Sequence, residues 1–266
     1  MIPLLEPIFR GPWAGYGESL ICADPPPSQA VALSDWLAKP ELFTAALREH
    51  ARRRGYGGVK DLRPIASMWS MGYLAALLPP VAAAATLLHH QFPLQHDTIA
   101  MMLADSGLPA AFVIPALGKP MKGRDAHARY DSLVWGHLDP VFEVLHTVSG
   151  VPRKILWGNA ARRLEDLLRV AASQVPGHPG VASDMDALLS RADWPAESGC
   201  RTNPLFGKRE TVRVLRESGP TTIALHRQCC LYHLLPAMGY CGACPLDAKL
   251  RQGCLDGLDG VTADNA

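Results

Sequence analysis

The chain has 266 residues, enough for one large domain or two small ones. With 48% hydrophobic and 19% charged residues, the composition predicts a packed core and excludes disorder, collagen and coiled coils. A formal net charge of +1 provides no overall attraction to polyanions, so general nucleic-acid binding is not expected.

The N-terminal third contains one helix signal and one long uncharged segment. Pro40 suits the first position of a helix, which is predicted to end before Gly55. Residues 64–96 then carry no formal charge over 33 positions, long enough to span a membrane. Because Pro79 and Pro80 at its centre should break a spanning helix, we interpret the segment as two core helices joined at the proline pair. Peripheral contact with a membrane surface is the alternative.

The N-terminal residues MIPLLEPIFR lack the order of a secretory signal. They contain two prolines and Glu6, with no basic residue before Arg10. A signal peptide places basic residues before an apolar run. We therefore expect the protein in the cytoplasm, where thiols stay reduced.

The middle of the chain predicts a hairpin followed by helices. The runs TIAMMLA and AAFVIPA flank DSGLP and predict two short strands between Asp97 and Pro115. An apolar helical pattern follows from Ser132 to about Val148 and is interrupted at Asp139-Pro140.

A second helix is predicted from Arg153 to Ser173. Its leucine and alanine residues recur on one inward face, while Arg162, Arg163 and the acidic residues Glu165 and Asp166 should lie mostly outside. One further helix is expected near 182–192.

A change in composition near Trp194 predicts a domain boundary. The stretch WPAESGCRTNP has prolines, a glycine and polar residues without periodicity, so we expect a helix-rich body at 1–194 and a smaller C-terminal domain at 195–266. In the latter, ETVRVLRE and TTIALHR alternate on either side of Ser218-Gly219-Pro220 and predict a second hairpin. The fold class is therefore α+β, with a helix-dominated body and short antiparallel hairpins. The last residues should form a loose tail.

Four of the seven cysteines lie directly after this hairpin. Cys229 and Cys230 are adjacent, ten residues separate them from Cys241, and two more precede Cys244. Thiolates favour zinc, copper(I) and iron-sulfur clusters. Adjacent cysteines project in opposite directions on extended backbone and close with strain onto one zinc ion, whereas a two-iron cluster is a larger target. A 2Fe-2S cluster is the first interpretation, structural zinc the second and a strained vicinal disulfide the third.

The remaining cysteines are not assigned as ligands. Cys22 and Cys200 are distant in sequence and are expected to behave as small buried hydrophobic residues. Cys254 is close enough in sequence to approach the cluster, although nothing around it requires this.

Basic residues concentrate before and beside the cysteines. Residues 201–230 contain six basic and two acidic residues, a local charge of +4. Such a surface can dock an acidic partner or an anionic ligand, since charge asymmetry speeds encounter. The candidate docking residues are Arg209, Arg213, Arg216 and Arg227.

The cysteine spacing, followed at once by Pro245, resembles that of the FhuF family of siderophore-iron reductases. The matching segment is CCLYHLLPAMGYCGACP, and GVPRKILWGNAARRL resembles the helical region upstream in that family. The resemblance extends from about Trp69 to Leu246, with one departure: His226 stands before Arg227 where a second basic residue is expected.

The resemblance implies a cytoplasmic enzyme that transfers one electron from a 2Fe-2S cluster, held by the four matching cysteines, to a ferric hydroxamate-type siderophore. We also predict a ferredoxin or reductase-type electron donor, with residues 1–194 as the candidate siderophore-binding region. Apart from the cluster, we find no catalytic motif. The sequence contains neither the phosphate-binding motif G-x-x-x-x-G-K-[ST] nor the metalloprotease motif H-E-x-x-H. The alternatives are a non-catalytic iron-sulfur electron carrier or redox sensor and, third, a zinc-stabilised interaction module.

Overall fold

The computed structural model describes residues 1–196, 199–216, 219–247 and 250, and within them the chain folds as a helix-dominated α+β protein. The α-helices in those ranges are α1 Ala14–Gly17, α2 Leu33–Leu37, α3 Pro40–Arg53, α4 Leu62–Leu87, α5 Ala126–Leu133, α6 Asp139–Ser149, α7 Arg153–Gln174 and α8 Pro179–Leu189. The strands are β1 Leu20–Cys22, β2 Val31–Ala32, β3 His90–Gln91, β4 Ala100–Leu103, β5 Pro109–Ile114, β6 Lys119–Pro120, β7 Asp193–Ala196, β8 Gly199–Thr202, β9 Thr211–Arg216 and β10 Gly219–Ala224.

Helix α4 forms the centre of the core, and it is one continuous helix. The prediction of two helices joined at Pro79 and Pro80 is therefore wrong. Pro80 has no N–H for the carbonyl of Ala76, one turn earlier. The hydroxyl of Ser19 donates to that carbonyl instead, at 2.6 Å, so the carbonyl keeps a hydrogen-bond partner within the continuous helix.

Among the described residues, α4 alone is long and apolar enough to cross a membrane, but 67% of its apolar window is buried inside the protein. Such burial is typical of the core helix of a globular protein. The expectation that this segment does not span a membrane thus agrees with its packing.

The interruption predicted at Asp139-Pro140 is a change of helix type. A π-helical turn, Val134–Leu138, joins α5 to α6 without a loop. Pro140 cannot donate to the carbonyl of Gly136, and the backbone N–H of His96 donates to it at 2.9 Å. As in α4, a donor from a distant segment satisfies the carbonyl that a proline leaves free.

Helix α7 follows the predicted bounds closely and packs along α4. Leu156, Ala160, Leu164 and Leu168 are buried on its inner face. The buried amide of Asn159 donates to the hydroxyl oxygens of Ser67 and Ser70 on α4, each at 3.0 Å. This polar contact fixes the register of α7 against α4. It therefore also positions the side chains on the other faces of α7.

Both predicted hairpins are present. Strands β4 and β5 pair antiparallel in a four-stranded sheet of order β1-β5-β4-β2, in which β1 runs parallel to β5. Strands β9 and β10 pair antiparallel just before the cysteine segment. Strands β7 and β8 form a further hairpin in the stretch read as irregular at the proposed domain boundary. The predicted tail at the C-terminus lies outside the described residues.

Candidate metal centre

The four clustered cysteines come together as two pairs of thiols. The Sγ atoms of Cys229 and Cys244 are 3.9 Å apart, and the side chains of Cys230 and Cys241 lie close enough for each to shift the pKa of the other. Two thiolates on one tetrahedral metal ion, with bonds of about 2.3 Å, lie about 3.8 Å apart. Each pair therefore combines one of the adjacent cysteines with one cysteine of the C-x-x-C turn.

The pairing follows from the opposite directions of the adjacent side chains and from two turns. Leu231 is left-handed, with φ of 62°, a conformation that non-glycine residues rarely adopt. It turns the chain directly after Cys230 and aims its own N–H at the sulfur of Cys229, 3.4 Å away. In the second turn the N–H of Cys244 donates to the carbonyl of Cys241 at 2.9 Å.

A two-iron cluster fits this donor set better than a single ion does. Within the described residues, no three His, Cys, Asp or Glu side chains surround one point at single-ion distances. A 2Fe-2S cluster with four cysteine ligands takes two thiolates on each iron, which is the arrangement of the two pairs. Cys229, Cys230 and Cys244 are buried and Cys241 is partly exposed, so a cluster here would have one edge near solvent.

The electrostatics favour ionised sulfur at Cys241. Hydrogen bonds from Cys230 and His226, together with the charge of Arg162, lower the pKa of Cys241 to about 3. The pKa of Cys230 is raised, first by its hydrogen bond to Cys241 and then by burial. Metal ligation requires thiolates, so the charge at this pair resides on Cys241 before a metal binds.

The aromatic side chain of His233 lies next to Cys229, and that of Tyr240 lies against His233. The Nδ1 atom of His233 lies 3.6 Å from its sulfur, and the imidazole stacks on Tyr240 with ring centroids 4.8 Å apart. Hydrogen bonds to cluster sulfurs are among the factors that set the reduction potential of an iron-sulfur centre.

Glu165 on α7 anchors the cysteine segment to the body. Its carboxylate accepts hydrogen bonds from Arg169 and Arg227 at 2.7 and 2.8 Å and from Arg209. The prediction that Glu165 lies outside is wrong: it is 7% exposed, because three guanidinium groups compensate its buried charge. Burial by itself raises the pKa of Glu165, but the bonds from Arg169 and Arg227 and the charge of Arg209 outweigh it and lower the pKa to about 2.

The candidate docking arginines occupy different environments. The guanidinium groups of Arg209 and Arg227 point inward to Glu165, and their side chains are 26% and 12% exposed. Arg213 is exposed on β9. The backbone of Arg216 belongs to β9, and its side chain lies outside the described residues.

A close approach between α7 and the cysteine segment depends on Gly158. A Cβ atom placed there would lie 2.7 Å from the Cβ of Gln228, the residue before Cys229. Sequence reasoning placed α7 correctly but did not identify Gly158, Glu165 or Leu231 as supports of the site. A glycine inside a strongly helical pattern was the available signal for the first of them.

The surface around the cysteine loop is apolar and basic. Its exposed apolar side chains are Leu234, Met238, Tyr240 and Leu246. Arg54 at the end of α3, together with Arg162 and Arg163 on α7, lies close enough to Tyr232 to influence its ionisation. The centre thus faces solvent through an apolar patch with cations beside it.

The other cysteines do not join this group in the described part of the chain. Cys22, on β1, and Cys200, on β8, are both exposed, so their expected burial is wrong. Cys254 lies outside the described residues.

Comparison with known proteins agrees with this geometry. Residues 67–221 match the family described as ferric iron reductase FhuF-like transporter, and residues 227–246 match the FhuF 2Fe-2S C-terminal domain. A relative described as ferric siderophore reductase, from Escherichia coli (strain K12), is 23% identical over 252 residues, which cover 92% of this chain and 91% of that protein.

Among solved structures, the chain resembles the aerobactin synthetases IucA and IucC from a hypervirulent pathotype of Klebsiella pneumoniae. Identities are 14% and 13%, with TM-scores of 0.40 and 0.41. The matches cover 61% and 60% of this chain but only 34% and 32% of the synthetases. A likeness this weak carries no conclusion about function.

Proposed function

We propose that this chain, which belongs to the ferric iron reductase FhuF-like transporter family and is a ferric-siderophore reductase, adds one electron to the iron of a hydroxamate-type siderophore and releases ferrous iron in the cytoplasm. Ferric iron is a hard ion held by hard oxygen ligands, and its reduction weakens those bonds. The step consumes one electron per iron and leaves the siderophore unchanged.

The observation that supports this proposal best is the pairing of the four thiols within the segment that matches the 2Fe-2S domain. Cys229 and Cys244 would hold one iron and Cys230 and Cys241 the other, because the side chains of each pair lie close together. When bound, a 2Fe-2S cluster stores one electron and supplies it at a potential that its ligands and their hydrogen bonds set.

Other properties of the protein side chains support this reaction: they exclude water, supply positive charge and hold the cysteine segment in place. Burial of Cys229 and Cys244 excludes water from one side of the site, while the partly exposed Cys241 lies at the edge that a substrate or donor can reach. Arg162 places positive charge beside that edge and stabilises thiolate at Cys241. Glu165, through Arg227, holds the segment that begins with the adjacent cysteines.

For the electron donor, we propose a ferredoxin or reductase-type protein. The exposed apolar side chains of the cysteine loop, and the exposed Arg213 on β9, are the groups that support transient contact with an acidic redox partner. Docking through Arg209, Arg216 or Arg227 and a peripheral contact with the membrane also stay predictions.

Cluster ligation is tested by four single variants, Cys229→Ser, Cys230→Ser, Cys241→Ser and Cys244→Ser, with Cys22→Ser as the matched control. Each of the four should lose or destabilise the visible and EPR signals of the cluster, and the exposed control should retain them. A colourless wild-type protein that contains one zinc ion per chain would contradict the assignment.

The reaction is tested by stopped-flow mixing of reduced protein with a ferric trihydroxamate in the presence of a ferrous chelator. One equivalent of reduced protein should release at most one equivalent of ferrous iron, and the chelator should draw the transfer forward by mass action. If the cluster stays reduced with every ferric siderophore tried, the electron-carrier or redox-sensor function replaces this proposal.

A further inference from the structure

His233 contacts both the sulfur of Cys229 and the ring of Tyr240. Its Nδ1 atom is 3.6 Å from the Sγ atom of Cys229, and its imidazole stacks on the phenol ring with an angle of 29° between the two planes. His233 is half-buried, whereas Tyr240 is 49% exposed. Ligation of the cluster requires no histidine at this position, because four cysteines complete the ligand set.

The local backbone holds His233 in place. The left-handed turn at Leu231 reverses the chain, so that the residue four positions after Cys229 returns to its sulfur. The N–H of Leu235 donates to the carbonyl of Tyr232 at 2.9 Å. Leu235 is 3% exposed and belongs to the main core. The turn that carries His233 is thus fixed at both ends, which gives the imidazole a defined position beside the sulfur.

The contact between His233 and Cys229 has one direction once a metal is bound. A ligating thiolate has no proton, so its sulfur accepts hydrogen bonds and donates none. The Nδ1 atom of His233 must then be the protonated ring nitrogen. The backbone N–H of Leu231 donates to the same sulfur at 3.4 Å. The sulfur of Cys229 therefore accepts two hydrogen bonds, and the one from the side chain can be removed by substitution.

Hydrogen bonds to a ligand sulfur favour the reduced cluster. Reduction adds one negative charge to the cluster and its thiolate ligands. A donor stabilises a more negative acceptor more strongly than a less negative one. A donor to Cys229 therefore shifts the one-electron equilibrium towards the reduced form, which means a higher reduction potential. Cys229 is 8% exposed, so water has little access to supply the same bond.

We propose that His233 donates its Nδ1–H to the ligand sulfur of Cys229 and thereby raises the reduction potential of the cluster. No bond forms or breaks at His233 in this step, which adds one electron to the cluster. Because His233 acts through Cys229, it is a positioning residue and not a ligand. The inference rests on the proposed reductase function, which it deepens by naming a residue that sets how strongly the reduced cluster drives electron transfer.

Two substitutions separate the donor from the ring. His233→Phe keeps an aromatic ring to stack on Tyr240 and has no N–H, whereas His233→Asn loses the ring and keeps an N–H close to the position of Nδ1. His90→Phe is the matched control, because His90 is also half-buried and its Nε2 atom contacts the carbonyl of Leu117 instead of a cysteine. The midpoint potential of each cluster-loaded protein is measured from the visible band in a potentiometric titration at one pH and one salt concentration. The EPR spectrum and the iron content confirm that each protein holds its cluster.

We expect His233→Phe to lower the equilibrium constant for one-electron reduction about tenfold, a shift of about 59 mV to lower potential. His233→Asn should stay within about threefold of the wild-type constant, and His90→Phe should leave it unchanged. A wild-type potential in His233→Phe would overturn the inference. Equal lowering in His233→Phe and His233→Asn would also overturn it, because the retained donor would then have no effect.

A measurement that leaves His233 unchanged keeps the inference testable if its variants lose the cluster. Histidine is labelled with nitrogen-15 in the wild-type protein and in His226→Asn, which removes the imidazole beside Cys241. The reduced cluster is paramagnetic, so a histidine nitrogen that donates to a ligand sulfur should produce a coupling in pulsed EPR spectra. We expect this coupling in both proteins, and the absence of any histidine coupling would refute the contact.

The inference and the proposed function fail separately, since the potential is measured without a siderophore. If His233→Phe lowers the potential but no ferric siderophore is reduced, the role of His233 stands and the reductase function does not. If ferric siderophores are reduced and His233→Phe keeps the wild-type potential, the function stands and the role of His233 does not. If both hold, the equilibrium constant for electron transfer to a ferric siderophore should be about tenfold larger for reduced His233→Phe than for the wild-type protein.

Discussion

Glu165→Gln should loosen the attachment of the cluster segment without removing any ligand of the cluster. The lowering of the Glu165 pKa from 4.5 to about 2 corresponds to about 3 kcal/mol of stabilisation. Removing one partner of a buried ion pair costs about 3 to 5 kcal/mol. Glutamine keeps one acceptor oxygen, and Arg169 is 61% exposed. We therefore expect Glu165→Gln to destabilise the attached segment by about 2 to 3 kcal/mol.

This loss should appear in the opening of the cysteine segment. Arg227 lies two residues before Cys229, so detaching it exposes the cluster to chelators while the helical body stays folded. A loss of 2 to 3 kcal/mol corresponds to about a 30- to 150-fold increase in the population of the open form. The rate at which an excess of iron chelator bleaches the visible band should rise by the same factor, if opening precedes removal of iron.

Asp186→Asn is the matched control, because Asp186 forms an exposed pair with Arg191 whose side chains are 54% and 64% exposed. Such pairs contribute about 0 to 1 kcal/mol, so the bleaching rate should change by less than about fivefold. If Glu165→Gln loses iron at the rate of the wild-type protein while its far-UV spectrum is unchanged, the assignment of Glu165 as the anchor is refuted.

The stabilisation by Glu165 should depend on pH. Because the pKa of Glu165 is lowered to about 2 in the folded protein, its ionised carboxylate stabilises the fold fully above about pH 4.5, and this contribution is lost as the pH falls towards 2. The difference in urea-unfolding free energy between wild-type and Glu165→Gln proteins should therefore shrink over that range, and a constant difference would contradict it. Arg213→Glu should lower the rate of reduction by an acidic donor at low salt, with a smaller effect above about 0.1 M salt, whereas a rate independent of salt would exclude docking by this face. Gly158→Val should crowd Gln228, 2.7 Å from the added Cβ, and speed chelation of the cluster by destabilising the segment by about 1 to 3 kcal/mol. A chelation rate equal to that of the wild-type protein would show that the contact is not needed.

Local patterns in the sequence predicted the elements whose stability is mostly local. The bounds of α3 and α7 and both hairpins followed from proline, glycine and apolar periodicity, and the structure confirms them. The cysteine spacing predicted that four thiols meet, and they do. The domain boundary near Trp194 stays a prediction.

Long-range contacts explain why the predictions for the proline pair in α4 and for Glu165 were wrong. Pro79 and Pro80 would end an isolated helix, but Ser19, 57 residues before Ala76, supplies a donor for the carbonyl that Pro80 leaves free. Glu165 has the side chain of a surface residue, and its burial depends on Arg209 and Arg227, 44 and 62 residues away. Helical periodicity contains no information about such partners, so the sequence alone could not identify the anchor of the cluster segment.

The two cysteine pairs close one loop inside another, and this arrangement affects how a cluster would be lost and rebuilt. Cys230 and Cys241 close a short loop inside the one closed by Cys229 and Cys244, and a cross-link across about 15 residues removes about 3 kcal/mol of chain entropy from the open state. Leu235, in the middle of the loop, is 3% exposed and packs into the main core. If iron were lost, the chain on either side of Leu235 would be freed while Leu235 stayed fixed in the core, so reassembly would start from a loop whose midpoint is already in place.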